Sequence, residues 1–149
     1  MIPSRLLHDS ESMVVLSHAD REALAFNMTE VRFRSGDRVL IQDRRSPAAY
    51  MLVDGALHAE RRVQDFALTG RIESGEWFGI ASICDGLPVT ASVHALTDVT
   101  LAALGRGDFE RLLTQPDGLG ARLLRVWLRS LSFQLSRVNA SLVTLRKQL

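Results

Sequence analysis

Residues 78–93 read FGIASICDGLPVTASV, and their grammar decides between a helical chain and a β-rich one. Phe78-Gly79 makes a tight turn, and Ile80 to Cys84 form a short apolar segment. Asp85-Gly86 and Pro88 break that segment, and Thr90-Ala91-Ser92-Val93 then alternates as a half-buried strand does. This is the layout of a small-ligand cradle, yet its one charged residue is Asp85. Either the stretch still holds an anionic ligand or it keeps only the backbone of a site that once did.

Working outward, the flanks continue in the same grammar. From about Val31, short segments alternate with turn signals at the close spacing of a barrel or sandwich. VRF precedes Ser35-Gly36-Asp37, and RVLI precedes the polar loop QDRRSP. YMLV precedes Asp54-Gly55, which predicts a two-residue hairpin turn. ALHAERRV and FALTGRI lead to Gly75, while TASVHAL and VTLAAL close the run around Thr97-Asp98. Before it, Ser17 or Asp20 can cap a helix in which Leu24, Ala25 and Met28 share a face. After Gly105 the period is helical again: GDFERLLTQ starts near Asp108, turns Phe109, Leu112 and Leu113 inward, and stops at Pro116. Residues 1–16 have no firm period and read as a mobile lead-in. Residues 17–116 read as the β body with its flanking helices, and 117–149 as a C-terminal helix opened by Asp117. The fold class expected is α+β: an antiparallel β-roll with an N-terminal helix and a long C-terminal dimerisation helix.

That last helix carries the clearest pattern in the chain. Leu124, Leu128, Leu131, Leu135, Val138, Leu142, Leu145 and Leu149 are spaced 4, 3, 4, 3, 4, 3, 4. An average period of 3.5 held over 26 residues marks a coiled-coil seam, because a helix on a globular surface drifts at about 3.6. The competing reading is a helix that lays the same leucines on its own body. Against it, a body-facing stripe is wider than a strict seam, and Val126, Trp127 and Phe133 lie off the seam as if to serve that second surface. A homodimer through this helix is therefore expected, with a monomer as the alternative, and a protein partner is a further candidate for the module as a whole.

Composition bounds the rest. With 149 residues, 46% apolar and 23% charged, the chain is long enough for one domain with a real core. No apolar run reaches membrane-spanning length, and MIPSRLLHDSES lacks the apolar centre of a secretory signal. A single cysteine, Cys84, excludes an internal disulfide framework and Cys-paired zinc sites. A cytoplasmic location is expected on these grounds. Net charge is +1, unevenly spread: residues 1–117 carry 12 Arg against 17 acids, a balance of −5. Residues 118–149 carry five Arg and one Lys with no acid, a balance of +6. The bland reading of that basic tail is a solvated helix face partly paired to the body.

Enzyme signatures are sparse. His8, His18, His58 and His94 form no HxH or HxxxH pair, and only His58 and Glu60, at i and i+2 of one strand, form a close set. Such a set is more often a surface pair than a metal ligand set. There is no GxSxG, no GxxxxGK[ST] and no His beside Cys84, so Cys84 reads as a small apolar residue with a redox role as the minor alternative. No catalytic residue, metal or cofactor is expected.

Taken in order, these landmarks resemble the cyclic-nucleotide-binding domain family, which includes the regulatory domain of catabolite-activator-type proteins. The residues that carry the resemblance are Gly36 before RVLI, Tyr50 to Gly55, and Gly75-Glu76-Trp77-Phe78-Gly79. Pro88 and Ala91 in the cradle and Phe109, Leu112 and Leu113 in the penultimate helix complete the set. Together they span about residues 16–145. In that family the cradle reads F-G-E-x-A-L and then P-R-x-A, the Glu holding the ribose 2′-hydroxyl and the Arg the cyclic phosphate. Here Ile80 stands in the place of the Glu and Val89 in that of the Arg, while Ser82 takes the small-residue position and Asp43 that of a second glycine.

Hydrogen bonds to charged groups contribute roughly 1.5–3 kcal/mol each, so losing both anchors removes about 3–6 kcal/mol, or two to four decades of affinity. A phosphate beside Val89 would also lack its counter-charge. The resemblance thus implies a cyclic nucleotide as ligand, and the two substitutions imply that usual cyclic AMP or cyclic GMP binding is impaired or lost. A ligand in the cradle would meet Gly79, Ile80, Ala81, Ser82, Val89, Thr90 and Ala91. The opposing reading has Arg71, or Arg44 and Arg45, reaching in as substitutes. Related transcription factors follow the dimer helix with a winged helix-turn-helix, and the sequence carries none, so no sequence-specific DNA binding is expected.

Overall fold

The computed structural model describes residues 1–7 and 10–148, so His8 and the last seam position, Leu149, lie outside the described residues. Helix α1 (His18–Phe26) is followed by β1 (Thr29–Phe33), β2 (Arg38–Leu40), β3 (Ala48–Asp54), β4 (Leu57–Val63), β5 (Phe66–Ile72) and β6 (Trp77–Phe78). Then come α2 (Ile80–Asp85), β7 (Ser92–Ala95), β8 (Val99–Gly105), α3 (Arg106–Thr114) and α4 (Leu119–Gln148). The strands form two antiparallel sheets, in the orders β1-β8-β3-β6 and β2-β7-β4-β5. This is the α+β roll with a long C-terminal helix that the sequence predicts.

Two cores follow from the period-two pattern of the strands. In β3 every residue but the last is buried, as expected of a strand covered on both faces. Ala48, Tyr50 and Leu52 point into the roll with Val99, Leu101 and Ala103 of β8, and Ala49, Met51 and Val53 point the other way with Ala102 and Leu104. That second core is roofed by the helices, through Leu24, Ile83, Phe109, Leu112, Leu123 and Trp127. The second sheet is covered on one side only: Leu57, Val93 and Ala95 face inward, and the residues between them face solvent.

Several expectations change. Asp54-Gly55 is not a hairpin turn, because β3 and β4 belong to different sheets and do not pair. It is the corner where the chain crosses between them: Gly55 has φ +100°, and a Cβ there would lie 2.5 Å from the Asp98 carbonyl oxygen. The two-residue hairpin is Gln64-Asp65, closed by Val63 opposite Phe66, with Gln64 at φ 55°. Leu113, expected inward, is exposed, and only Phe109 and Leu112 of α3 are buried.

Before α1 the chain makes two 3-10 turns, Ser4–Leu6 and Glu11–Val15, which have neither helical nor strand period, and this lead-in still places Ile2, Leu7, Met13 and Leu16 in the helix-facing core. Helix α1 begins with a full capping box. The Asp20 N–H donates to Ser17 Oγ at 3.1 Å, and the Ser17 N–H donates to Asp20 Oδ2 at 3.2 Å.

Helix α4 divides its faces along its 30 residues. Leu119, Leu123, Val126, Trp127 and Ser130 are buried on the body, and Trp127 meets Trp77 edge-on at 5.6 Å. Gly120 lets the start of α4 cross the end of α3, since a Cβ there would lie 2.6 Å from the Leu113 backbone nitrogen. The described seam, Leu124 to Leu145, faces away from the body, with exposures between 38% at Leu124 and 65% at Leu128. Phe133 does not serve the body-facing surface as Val126 and Trp127 do; it is exposed, and the Arg129 guanidinium stands 5.8 Å from its ring centre.

Candidate functional site

The cradle is built around Gly79. Its φ of +76° ends β6 and starts α2, and a Cβ there would lie 2.8 Å from the Ala48 carbonyl oxygen and 2.9 Å from Ser46 Oγ. Only glycine fits so close an approach of two backbones in that conformation. Ser82, in the small-residue position, has its hydroxyl fully engaged: it accepts from the Ser46 N–H at 2.9 Å and donates to the Leu87 carbonyl at 2.6 Å. Ser46 Oγ in turn donates to the Ala48 carbonyl at 2.6 Å. These buried hydroxyls tie the cradle to β3. At the other end Gly86, also left-handed, lets its own N–H reach the Ser82 carbonyl and the Leu87 N–H reach that of Ala81.

The two substituted anchors part company. Val89 is buried inside the roll in one apolar cluster with Leu40, Ala48, Tyr50 and Val93. Its backbone is fixed from both sides: the Val89 N–H donates to the Arg44 carbonyl at 2.8 Å, and the Asp43 N–H donates to the Val89 carbonyl at 2.9 Å. Asp43 has φ 68°, the conformation a glycine would adopt at that place and one that Asp tolerates. Ile80 is buried on the other side of the sheet, in the helix-facing core with Ile83 and Trp77. Gly79, Ser82 and Val89 are thus brought together around the cradle. Thr90 and Ala81 are exposed, Ala91 is half-buried, and Ile80 belongs to another core.

The electrostatics are quiet. Burial raises the Tyr50 hydroxyl, whose ring stacks on Phe78 at 5.3 Å. Burial first, and then the Asp85 carboxylate, raise the Cys84 thiol, which disfavours the thiolate a redox role would need. Of the arginines weighed as substitutes, Arg44 and Arg45 are exposed beside the cradle. Arg71 lies opposite His58, and its neighbour Ile72 packs toward the roll interior, which sends Arg71 to the outer face. Sequence reasoning missed the Ser46 clasp. Its signal, a serine facing the cradle's small-residue position, depends on a pairing 36 residues apart.

Residues 30–115 match the family model described as cyclic nucleotide-binding domain. The chain is 26% identical over 107 residues to the cAMP-dependent protein kinase regulatory subunit of Debaryomyces hansenii, covering 72% of this chain and 23% of that relative's length. Among solved structures, a cyclic nucleotide-binding domain from Methylobacillus flagellatus superposes with a TM-score of 0.80 at 19% identity, covering 87% of this chain and 74% of that one. The regulatory subunit of a cAMP-independent protein kinase A from Trypanosoma cruzi, bound to guanosine, superposes with a TM-score of 0.65 at 21% identity, over 73% of this chain and 39% of that one. The last two likenesses are likenesses of fold. Family model, landmarks and roll agree, and the chain belongs to the cyclic nucleotide-binding domain family.

Proposed function

We propose that this domain is a non-catalytic regulatory module of cytoplasmic proteins that does not hold cyclic AMP or cyclic GMP in the family's usual way, and that it works as a dimer through α4. The observation that carries this reading is the place of Val89. Where the family's arginine would meet the cyclic phosphate, an aliphatic side chain is packed among apolar neighbours, on a backbone pinned by Asp43 and Arg44. Burying a phosphate there would leave its charge uncompensated. The position of Ile80 adds to this, because a side chain committed to the helix-facing core is not available to a ribose. The exposed seam of α4 supports the dimer.

The test is calorimetric titration of the protein with cyclic AMP and cyclic GMP at low salt. The expected result is no saturating heat up to about millimolar ligand, consistent with the two to four decades lost with both anchors. Micromolar binding would overturn the reading. One observation favours a second reading in that event: the Arg44 carbonyl bonds Val89 directly, which puts Arg44 and Arg45 at the rim of the cradle. Binding abolished by Arg44→Gln with Arg45→Gln would make the domain a cyclic-nucleotide sensor with a relocated grip.

A further inference from the structure

The outer face of the second sheet carries a charge pattern that the cradle does not explain. Strand register places Arg38 opposite His94, His94 opposite His58, and His58 opposite Arg71, a continuous row across β2, β7, β4 and β5. Among the described residues none of the four side chains makes a hydrogen bond or ion pair. The Arg38 and Arg71 guanidiniums stand at the two ends of this row, with two imidazoles between them.

Beside the row lies a cavity of about 500 Å³ lined by Arg38, Gln42, Glu60, Arg62, Ser92 and His94. Its walls are fixed. The Gln42 side-chain amide donates to the Arg62 carbonyl and accepts from the Arg62 N–H, both at 2.8 Å, and the Gln42 N–H donates to Ser92 Oγ at 2.9 Å. The one carboxylate, Glu60, is already paired with Arg62 Nε at 2.6 Å, which leaves the Arg38 guanidinium uncompensated and the His94 ring unbonded at the rim.

We infer that this cavity is a binding site for a small phosphate-bearing anion, with the Arg38 guanidinium as its principal contact and His94 and Ser92 as supporting donors. A guanidinium suits the geometry of phosphate oxygens, and the cavity has the size of an ordinary small-molecule site. The site opens on the side of the second sheet away from the roll interior, so it does not depend on whether the cradle is empty.

The experiment is a titration of the isotope-labelled full chain with inorganic pyrophosphate, followed by amide NMR. The expected result is a saturable shift confined to residues around 38, 42, 60, 62, 92 and 94, with affinity falling about tenfold or more in Arg38→Gln and unchanged in Arg146→Gln. The Arg38 side chain is exposed and makes no bond among the described residues, so Arg38→Gln should fold as the parent does. Three outcomes overturn the inference: no saturable shift by about 10 mM pyrophosphate, shifts centred on Arg44, Arg45 and the cradle, or equal affinity in Arg38→Gln. The second of these would instead revive the relocated-grip reading of the cradle.

Discussion

Replacing Leu131 and Leu135 together by Ala tests the dimer most directly, because the folded chain gives those side chains little to do alone. They are 46% and 60% exposed, on the face of α4 turned away from the body. Fully burying a leucine contributes about 1.5–3 kcal/mol, so burying the exposed half of each contributes about 1 kcal/mol. A two-fold dimer contains each position twice, so the double substitution removes about 4 kcal/mol from association, roughly a thousandfold in dissociation constant. Sedimentation velocity over a concentration series reads that shift. Far-UV circular dichroism of the dilute monomer provides the control: with both side chains solvent-facing and Ala an excellent helix former, monomer stability should change by less than about 0.5 kcal/mol. An unchanged dissociation constant would refute the seam as the interface. A loss of monomer stability by several kcal/mol would show that these leucines pack on their own domain in solution.

Other predictions concern the cradle and the attachments of the helices. Val89→Arg should lower the melting temperature of the free domain, since an unpaired guanidinium enters an apolar cluster. If the backbone is the family's, cyclic AMP should then restore part of that loss in a thermal-shift assay. Ile80→Glu should destabilise by about 2–4 kcal/mol in urea unfolding with no gain in ligand affinity, because it puts a carboxylate into the helix-facing core. Gly120→Ala should cost about 1–3 kcal/mol, the Cβ meeting the Leu112 and Leu113 backbone at under 3 Å.

Asp20 accepts from Arg122 Nε at 2.9 Å and Nη2 at 2.7 Å, and that contact holds its carboxyl below the ordinary value. A carboxyl depressed in the folded state stabilises the fold above its unfolded value and loses that contribution as pH falls through the folded one. The parent should therefore lose stability more steeply than Asp20→Asn below about pH 4, measured by urea unfolding.

What was legible in the sequence divides along a physical line. Features carried by one residue type at a local position were readable: the Ser17 cap, the glycine at 79, the leucine face of α4 turned from the body, and Val126 with Trp127 on the body-facing side. Features that depend on which strands pair were not. Asp54-Gly55 has the chemistry of a hairpin turn, and nothing local says that β3 and β4 enter different sheets. Ile80 and Val89 looked equivalent as substituted anchors, because the path through α2 that sends one to each core depends on tertiary packing. The row from Arg38 to Arg71 joins residues far apart in the chain, and only strand register assembles it. Leu113 is a narrower case: a helix of nine residues has room for one buried face, which Phe109 and Leu112 fill.

The cradle and the seam are linked in a way that gives the proposed dimer its regulatory sense. The segment that enters the cradle, Glu76 to Gly79, is the same segment that holds the middle of α4. Arg137 grips both Glu76 carboxylate oxygens at 2.9 and 2.8 Å, Gln134 Nε2 donates to the Trp77 carbonyl at 3.4 Å, and the Trp77 ring meets Trp127. Glu76 is also bonded to the Glu73 N–H at 3.2 Å, so its carboxylate bridges the turn before β6 and the helix. A change in the cradle that moved Gly79 would reach this clasp, and Arg137 stands one residue before Val138 of the seam. Beyond that residue α4 has no polar contact with the body among the described residues, so the clasp is the last polar tie between the body and the free part of the seam. Coupling of this kind needs no charged anchor in the cradle. The proposed regulatory role would then rest on the place of β6 against α4, whatever ligand or partner the cradle meets.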